Sequence, residues 1–164
     1  MRLSRVLALL AAGGLAVAGC SAPGPEEVTF FANGNTIQVV PYRTCDASTP
    51  DVKCSADDPS KSGTLKVRPG QPIQISVPGA VATGLWQVAI MNIDANGQAL
   101  EPQQPKLITS QETYAYTVTP PLGGQQTVIV EVSVLAPQTA AQPDGTSRIV
   151  LIPTATWALQ VQPV

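Results

Sequence analysis

The sequence predicts an all-β protein, an antiparallel immunoglobulin-like β-sandwich of about eight or nine strands. Two observations favour this fold. From residue 27 onward, apolar residues recur with a period of two rather than 3.6, and no segment there offers ten residues of helical periodicity. Pairs of turn-forming residues separate the alternating runs. A small closed β-barrel is the main alternative.

The first strands are predicted from short alternating runs. Residues 28–32 and 35–40 flank the pair Asn33-Gly34, which readily takes the positive φ values of a tight hairpin turn. Two further runs lie on either side of the turn pair Pro69-Gly70, and their apolar positions are Leu65, Val67, Ile73, Ile75 and Val77.

The later strands follow the same rule. Residues 85–93 form an apolar run that ends at Asn96-Gly97, and Trp86 at its start suits a core position. Glu131 interrupts a run of alternating valines and is expected to face solvent. Pro153 predicts an edge, a bulge or a crossover between sheets. The alternating apolar positions are Tyr114, Tyr116, Val118, Val128, Val130, Val132, Val134, Trp157, Leu159 and Val161.

The first 19 residues have the composition of an export signal. Arg2 and Arg5 precede an apolar run over residues 6–17, and small residues follow up to Cys20. The run is about a dozen residues long, whereas a permanent transmembrane helix needs roughly 20. We therefore expect residues 1–19 to be a cleaved signal peptide, residues 20–26 a short Pro- and Gly-containing tether, and residues 27–164 one domain.

The residues around the expected cleavage point resemble the lipobox of bacterial lipoproteins and read Leu15-Ala16-Val17-Ala18-Gly19-Cys20. The resemblance implies cleavage before Cys20 and a diacylglycerol group on its thiol. Two acyl chains on one residue make attachment to a bilayer stable. We expect the domain at the outer face of the cytoplasmic membrane, within about 20 Å of the lipid because the tether is so short. A soluble secreted protein with a chance cysteine is the alternative.

Cys45 and Cys54 are the other two cysteines, and an intramolecular disulfide is expected in an exported protein. Closing a loop of about ten residues stabilises the fold by roughly 2.5 to 3 kcal/mol on the chain-entropy model. A redox role is disfavoured because the spacing is not Cys-x-x-Cys. The polar loop around this pair, residues 42–62, is the best candidate for a recognition surface.

Composition excludes several classes of function. The chain has 9 basic and 11 acidic residues and no histidine, which argues against nucleic acid as a partner and excludes chemistry based on imidazole. No Gly-x-Ser-x-Gly, Gly-x-Gly-x-x-Gly or P-loop motif occurs. We predict no enzyme activity, no cofactor and no metal site.

Three weak signals of function each have a structural explanation. Ser60-Lys61-Ser62 could hold a Ser–Lys pair, but its surroundings are polar and loop-like. Residues 94–97 with Glu101 faintly resemble a calcium loop, yet a hairpin turn explains them as well. Aromatic side chains could line a ligand groove, but in a chain with 4% aromatics a core position is more common: Trp86, Trp157, Tyr42, Tyr114 and Tyr116.

Several segments together are similar to a family of actinobacterial, mycobacterial-type secreted lipoproteins of unknown function. Besides the lipobox and the two later cysteines, these segments read Val28-Thr29-Phe30-Phe31, Pro41-Tyr42-Arg43-Thr44-Cys45, Val67-Arg68-Pro69-Gly70 and Ser76-Val77-Pro78 before Trp86. The resemblance implies an envelope location and no catalytic residues. We expect a non-enzymatic binding or adaptor module for an envelope protein or glycan. The alternative is a carrier or sensor of a small apolar or lipidic ligand inside the sandwich.

Overall fold

The computed structural model describes residues 26–49, 51–94, 96–100, 103–109, 112–121, 127–143 and 145–164. The predicted signal peptide, Cys20 and residues 21–25 of the predicted tether lie outside these ranges. The strands are β1 (Val28–Ala32), β2 (Asn35–Val39), β3 (Arg43–Asp46), β4 (Lys53–Cys54), β5 (Gly63–Val67), β6 (Ile73–Ser76), β7 (Leu85–Ile93), β8 (Lys106–Ile108), β9 (Ala115–Val118), β10 (Thr127–Ala141) and β11 (Ser147–Pro163). A 3₁₀ turn (Pro59–Lys61) and a one-turn helix, α1 (Gly79–Ala82), complete the described elements.

The predicted all-β sandwich is confirmed. The smaller sheet has the strand order β2-β1-β6-β9 and is antiparallel throughout. Its first two strands are joined at Asn33 and Gly34, whose φ values of 52° and 77° confirm the predicted tight turn. The alternating residues of these strands turn one face toward the core, with Phe30 and Ile75 fully buried.

The larger sheet has the strand order β4-β3-β11-β10-β7-β8. One feature differs from the prediction, because β5 joins β11 in parallel, with Gly63 opposite Leu159. Alternation indicates that a segment is a strand but not the direction in which two strands run. The described residues also hold more strands than predicted, since β3, β4 and β8 are too short to show an alternating pattern.

The core lies between the two sheets. Trp86 and Trp157 are both completely enclosed there, which confirms their predicted core positions. Their neighbours are the inward residues of both sheets, among them Val28, Phe30, Val67, Ile73, Ile75, Val128, Val130, Val132, Leu159 and Val161. Tyr114 differs from the prediction, because it precedes β9 and its side chain is 51% exposed.

The outward face of the larger sheet is partly covered, contrary to simple alternation. Ser133 and Thr156 lie on this face and are buried, and their hydroxyl groups are 3.3 Å apart in a hydrogen bond. The predicted irregularity at Pro153 is a β-bulge, one of the three alternatives. Val134 pairs with Ala155 and Leu135 pairs with Pro153, which leaves one extra residue in β11.

Beyond the bulge, β10 and β11 continue as a two-stranded ribbon that we call the arm, residues 136–141 and 147–153. Pairing of β7 with β10 ends at Leu135, and pairing of β3 with β11 begins at Ala155. Within the described residues, both outer edges of the arm therefore have no partner strand. In the same ranges, no helix has the length and apolar content of a membrane span.

Candidate functional site

The candidate site begins at the predicted recognition loop, residues 42–62, which we call the disulfide hairpin. Cys45 and Cys54 lie directly opposite one another in the β3–β4 ladder and are joined by a disulfide, as predicted. The backbone amide of Ser55 donates to the carbonyl of Thr44 over 2.8 Å, which extends the pairing by one step. A segment predicted as a loop is therefore a short, crosslinked two-stranded element.

Tyr42 holds the disulfide hairpin against the larger sheet. Its hydroxyl donates to Oε1 of Glu131 over 2.8 Å, and its backbone amide donates to the carbonyl of Thr156 over 2.9 Å. Burial and the neighbouring Glu131 carboxylate raise the pKa of Tyr42, so the phenol keeps its proton and remains a donor. The expectation that Glu131 simply faces solvent is wrong, because Tyr42 covers it and leaves it half-buried.

Charged residues line the open side of the disulfide hairpin. Nε of Arg43 lies 3.6 Å from Oδ1 of Asp57, and Nζ of Lys61 lies 3.7 Å from Oδ2 of Asp58. The Ser60 hydroxyl donates to Asp58 over 2.5 Å, and this bond is the main cause that lowers the pKa of Asp58. The backbone amide of Ser60 also donates to Oδ1 of Asp58 over 3.2 Å, and this bond forms the N-terminal cap of the 3₁₀ turn. Ser60 is thus bonded to a carboxylate rather than to Lys61.

An open pocket of about 530 Å³ lies between these charged residues and the end of β2. Its lining residues are Val40, Pro41, Thr44, Ser55, Ala56, Asp57, Asp58 and Lys61. The carboxylates at its rim are already engaged in ion pairs or capping. The pocket is therefore a polar groove along the hairpin, with its charges held in place by local partners.

Gln138 joins the disulfide hairpin to the arm. Its Nε2 donates to the carbonyl of Ala47 over 3.2 Å and to the carbonyl of Thr49 over 2.9 Å. Two carbonyls of the hairpin tip are satisfied by one side chain from β10. The hairpin and the arm consequently form one continuous surface, although they are far apart in sequence.

The other face of the arm is apolar and open. Ile149 lies opposite Thr139, and Leu151 lies opposite Pro137, so these four residues share the face that points away from Gln138. The Ile149 side chain is 75% exposed and that of Leu151 is 43% exposed. Large apolar side chains that lie next to each other on one exposed face of a strand are typical of contact surfaces.

A second, apolar pocket of about 340 Å³ opens where the chain enters the domain, and we call it the entry pocket. Buried Trp157 and Val81 lie at its inner end. Nε1 of Trp157 donates to the backbone carbonyl of Glu26 over 2.9 Å, which fixes the position of the last residue of the predicted tether. The remaining lining residues are Pro41, Thr44, Ala80, Val134, Thr154 and Ala155.

The residues of the weak calcium signal are explained by a turn. Oδ1 of Asp94 accepts hydrogen bonds from the backbone amides of Asn96 and Gln98, and the bond from Gln98 is the main cause that lowers its pKa. Gly97 has a φ of 81°, as the turn needs. Glu101 lies outside the described residues, and the part of the chain that is described holds no cluster of three metal-ligating side chains.

Sequence reasoning did not find the arm or the entry pocket. The run from Thr127 to Ala141 and the run that follows it are long enough to predict a hairpin extending past the sandwich. The apolar face of the arm is visible in the sequence as Ile149 and Leu151, two positions apart. The entry pocket has no such signal, because five separate segments of the chain contribute to its wall.

A family model described as "Protein of unknown function (DUF2771)" matches residues 21–162. The chain belongs to this family. The DUF2771 match includes both sheets, the disulfide hairpin and the arm, so all of these features lie within the family region. No curated protein and no solved structure matches the chain.

Proposed function

We propose that this protein is a membrane-anchored, non-enzymatic binding module of the cell envelope that docks a partner protein through the arm. Diacylglycerol on Cys20 attaches it to the bilayer. The observation that carries the proposal is the arm itself, with Ile149 and Leu151 exposed on one face and both strand edges unpaired in the described structure. Nucleic acid is not a partner in this proposal.

The arm offers two kinds of contact to a protein. Its unpaired edges present rows of backbone amides and carbonyls to which an extended segment can add as a further strand. Its apolar face supplies the desolvated contact that commonly dominates binding energy. The disulfide and the two hydrogen bonds from Gln138 stiffen the neighbouring hairpin, which reduces the entropy lost on binding.

The position of Glu26 determines how far from the membrane the domain lies when Cys20 is the anchor. The hydrogen bond from Trp157 fixes the chain at Glu26, only six residues after Cys20. Six extended residues reach about 20 Å. A domain held this close to lipid stays near the membrane surface. A projecting arm lets it contact partner proteins farther from that surface.

Site-specific photo-crosslinking in cells tests the docking surface. We would place a photo-crosslinking amino acid at Ile149 in the arm and, as a matched control, at exposed Gln160 in the body of the same strand. One dominant crosslinked protein from position 149, absent from position 160, is the expected result. Equal patterns at the two positions, or no crosslinked protein at 149, would overturn the proposal.

The anchor is tested separately with Cys20→Ala. The wild-type protein is expected in the membrane fraction with the mass of a diacylglyceryl group, and the variant in the soluble fraction. A variant that fractionates with membranes as wild type does would contradict lipidation at Cys20. It would leave the crosslinking result at Ile149 interpretable, because the two experiments use different readouts.

A second candidate function is the binding of a small apolar or lipidic ligand, and the entry pocket favours it. Its volume of about 340 Å³ lies within the range of ligand sites, and its wall is mainly apolar. It also opens beside Glu26, at the end of the domain that the proposed tether holds near lipid. In this candidate function the ligand binds in the entry pocket rather than between the two sheets.

Mass spectrometry of the purified native protein tests the second candidate. We expect a co-purifying apolar molecule that is lost in Ala155→Trp, where the new side chain fills the entry pocket. Ala99→Trp is the matched control, because Ala99 is exposed and distant in the sheet order. An extract without such a molecule, or equal recovery from both variants, would exclude this function.

A further inference from the structure

The outward face of the smaller sheet carries two rows of side chains that cross all four strands, and we call it the uncharged face. The first row is given by the strand register, in which Phe31 lies opposite both Thr36 and Gln74, and Gln74 lies opposite Thr117. The second row, one alternation further along, consists of Gln38, Thr29, Ser76 and Ala115. None of these eight side chains carries a charge.

Phe31 is the unusual member of this face. Its side chain is 44% exposed, while its neighbour Phe30 is fully buried in the core. Thr36 and Gln74 lie beside it on the neighbouring strands. The Thr36 side chain is small and the Gln74 side chain is flexible, and the Phe31 ring stays partly exposed between them. One accessible ring is therefore surrounded by hydroxyl and amide groups.

These polar groups are available to a ligand. In the described part of the chain, the side chains of Gln74 and Thr117 have no intramolecular hydrogen-bond partner. A shallow pocket of about 390 Å³ adjoins the first row at the turn between β1 and β2. Its lining residues are likewise uncharged: Phe31, Ala32, Asn33, Gly34, Gln71, Pro72, Gln74 and Thr117.

We infer that the uncharged face binds a neutral carbohydrate. A sugar ring has an apolar C–H face, which can stack on Phe31, and hydroxyl groups, which can pair with Gln74 and Thr117. The face spans three inter-strand spacings, about 14 Å in all, so it suits an oligosaccharide. Since none of these eight side chains is charged, they offer no ion pair to a phosphate or carboxylate group.

The same observations disfavour a protein as the occupant. The centre of a protein interface is usually a cluster of several apolar and aromatic side chains. The uncharged face has a single large apolar residue, Phe31, whereas the arm has two adjacent ones together with free strand edges. The inference is independent of protein docking at the arm, because the two surfaces belong to different sheets.

Affinity electrophoresis of the detergent-solubilised full-length protein tests the inference. Native gels would contain galactan, arabinan, mannan or amylose, and polygalacturonate would serve as the charged polysaccharide. We expect at least one neutral polysaccharide to retard the protein and polygalacturonate not to do so. No retardation by any neutral polysaccharide, or equal retardation by polygalacturonate, would overturn the inference.

Two variants locate the binding. Phe31→Ala is expected to weaken retardation about tenfold, the change that corresponds to one stacking contact. Gln74→Glu adds a charge without removing the ring and should also weaken it. Tyr114→Ala is the matched control, since Tyr114 is an exposed aromatic whose side chain alternates away from this face. Retardation of both face variants to the wild-type extent would contradict the assignment.

Unfolding curves of the same variants show whether a substitution has disturbed the fold. Crosslinking from position 149 distinguishes failure of the carbohydrate site from failure of docking at the arm. Both face variants should unfold at the wild-type temperature, because the substituted side chains point away from the core. Phe31→Ala should leave the crosslink at Ile149 intact. In the protein with no substitution in the uncharged face, retardation by a neutral polysaccharide without a crosslink from position 149 would count against docking at the arm alone. A crosslink from position 149 without retardation would count against the carbohydrate site alone.

Discussion

The two halves of the β10–β11 hairpin have the same backbone pairing and opposite surroundings. One half, which we call the body, is the part of β10 and β11 outside the arm. In the body, Val130 and Leu159 are fully buried, and β7 and β5 continue the sheet on either side. In the arm, Ile149 is exposed and neither strand has an outer neighbour within the described residues. Strand formation and burial are thus separate properties, and alternating residues alone report the first more reliably than the second.

The largest expected difference between the two halves is in how much free energy of unfolding is lost when a side chain is removed. Trp157→Ala should lower the free energy of unfolding by about 3 to 5 kcal/mol, because it opens a cavity in the core and removes the donor to Glu26. Ile149→Ala in the arm should change it by less than about 0.5 kcal/mol. Urea denaturation measures both, and similar losses in the two variants would contradict the comparison.

The next largest effect concerns the disulfide beside the arm. Replacing Cys45 and Cys54 together by serine should lower the free energy of unfolding by roughly 2.5 to 3 kcal/mol, since a loop of about ten residues is no longer closed. Wild-type protein treated with a reducing agent is the control and should behave like the double variant. Unchanged stability in the double variant would show that the bridge does not constrain the unfolded chain.

A smaller effect is expected at the contact between the disulfide hairpin and the body. Tyr42→Phe removes the hydrogen bond to Glu131 and should cost about 1 to 2 kcal/mol near neutral pH. The pKa of Tyr42 is raised in the folded state, so this stabilisation is complete below the unfolded pKa of about 10 and is lost as pH rises above it.

The pH dependence of that variant gives a second, independent check. Unfolding free energies measured between about pH 8 and about pH 11 should show the gap between wild type and Tyr42→Phe narrowing above pH 10. A gap that stays constant across this interval would mean that the Tyr42 phenol has the same pKa in both states.

A still smaller loss of stability is expected where the disulfide hairpin meets the arm. Gln138→Ala removes two hydrogen bonds to backbone carbonyls and should cost about 0.5 to 1 kcal/mol. Hydrogen exchange should become faster at residues 45–54 and in the arm. Thr139→Ala, which changes the opposite face of the arm, is the control and should leave exchange in the hairpin unaltered.

Much of the fold could be predicted from the sequence, because burial on one face imposes a period of two. Asn33-Gly34, the valines of β10 and the two tryptophans were all predicted on this physical basis and are found in place. The disulfide was also predicted, from cysteine count and the expected export.

Other features escaped prediction because they depend on contacts between distant segments. Ser133 and Thr156 are polar, yet each is buried against the other across two strands. Glu131 is covered by Tyr42, which lies 89 positions away in sequence. The parallel pairing of β5 with β11 and the uncharged face require the strand order, which a single sequence does not contain.

The place of β11 in the larger sheet has a consequence for the order in which the chain can fold. The smaller sheet has all four of its strands once Val118 has been synthesised, whereas the larger sheet lacks its middle until β11 is available. A nascent chain therefore keeps the inward residues of the smaller sheet uncovered through most of its synthesis. We therefore expect chaperones that bind exposed apolar strands to bind the smaller sheet for longest, until the β10–β11 hairpin covers it.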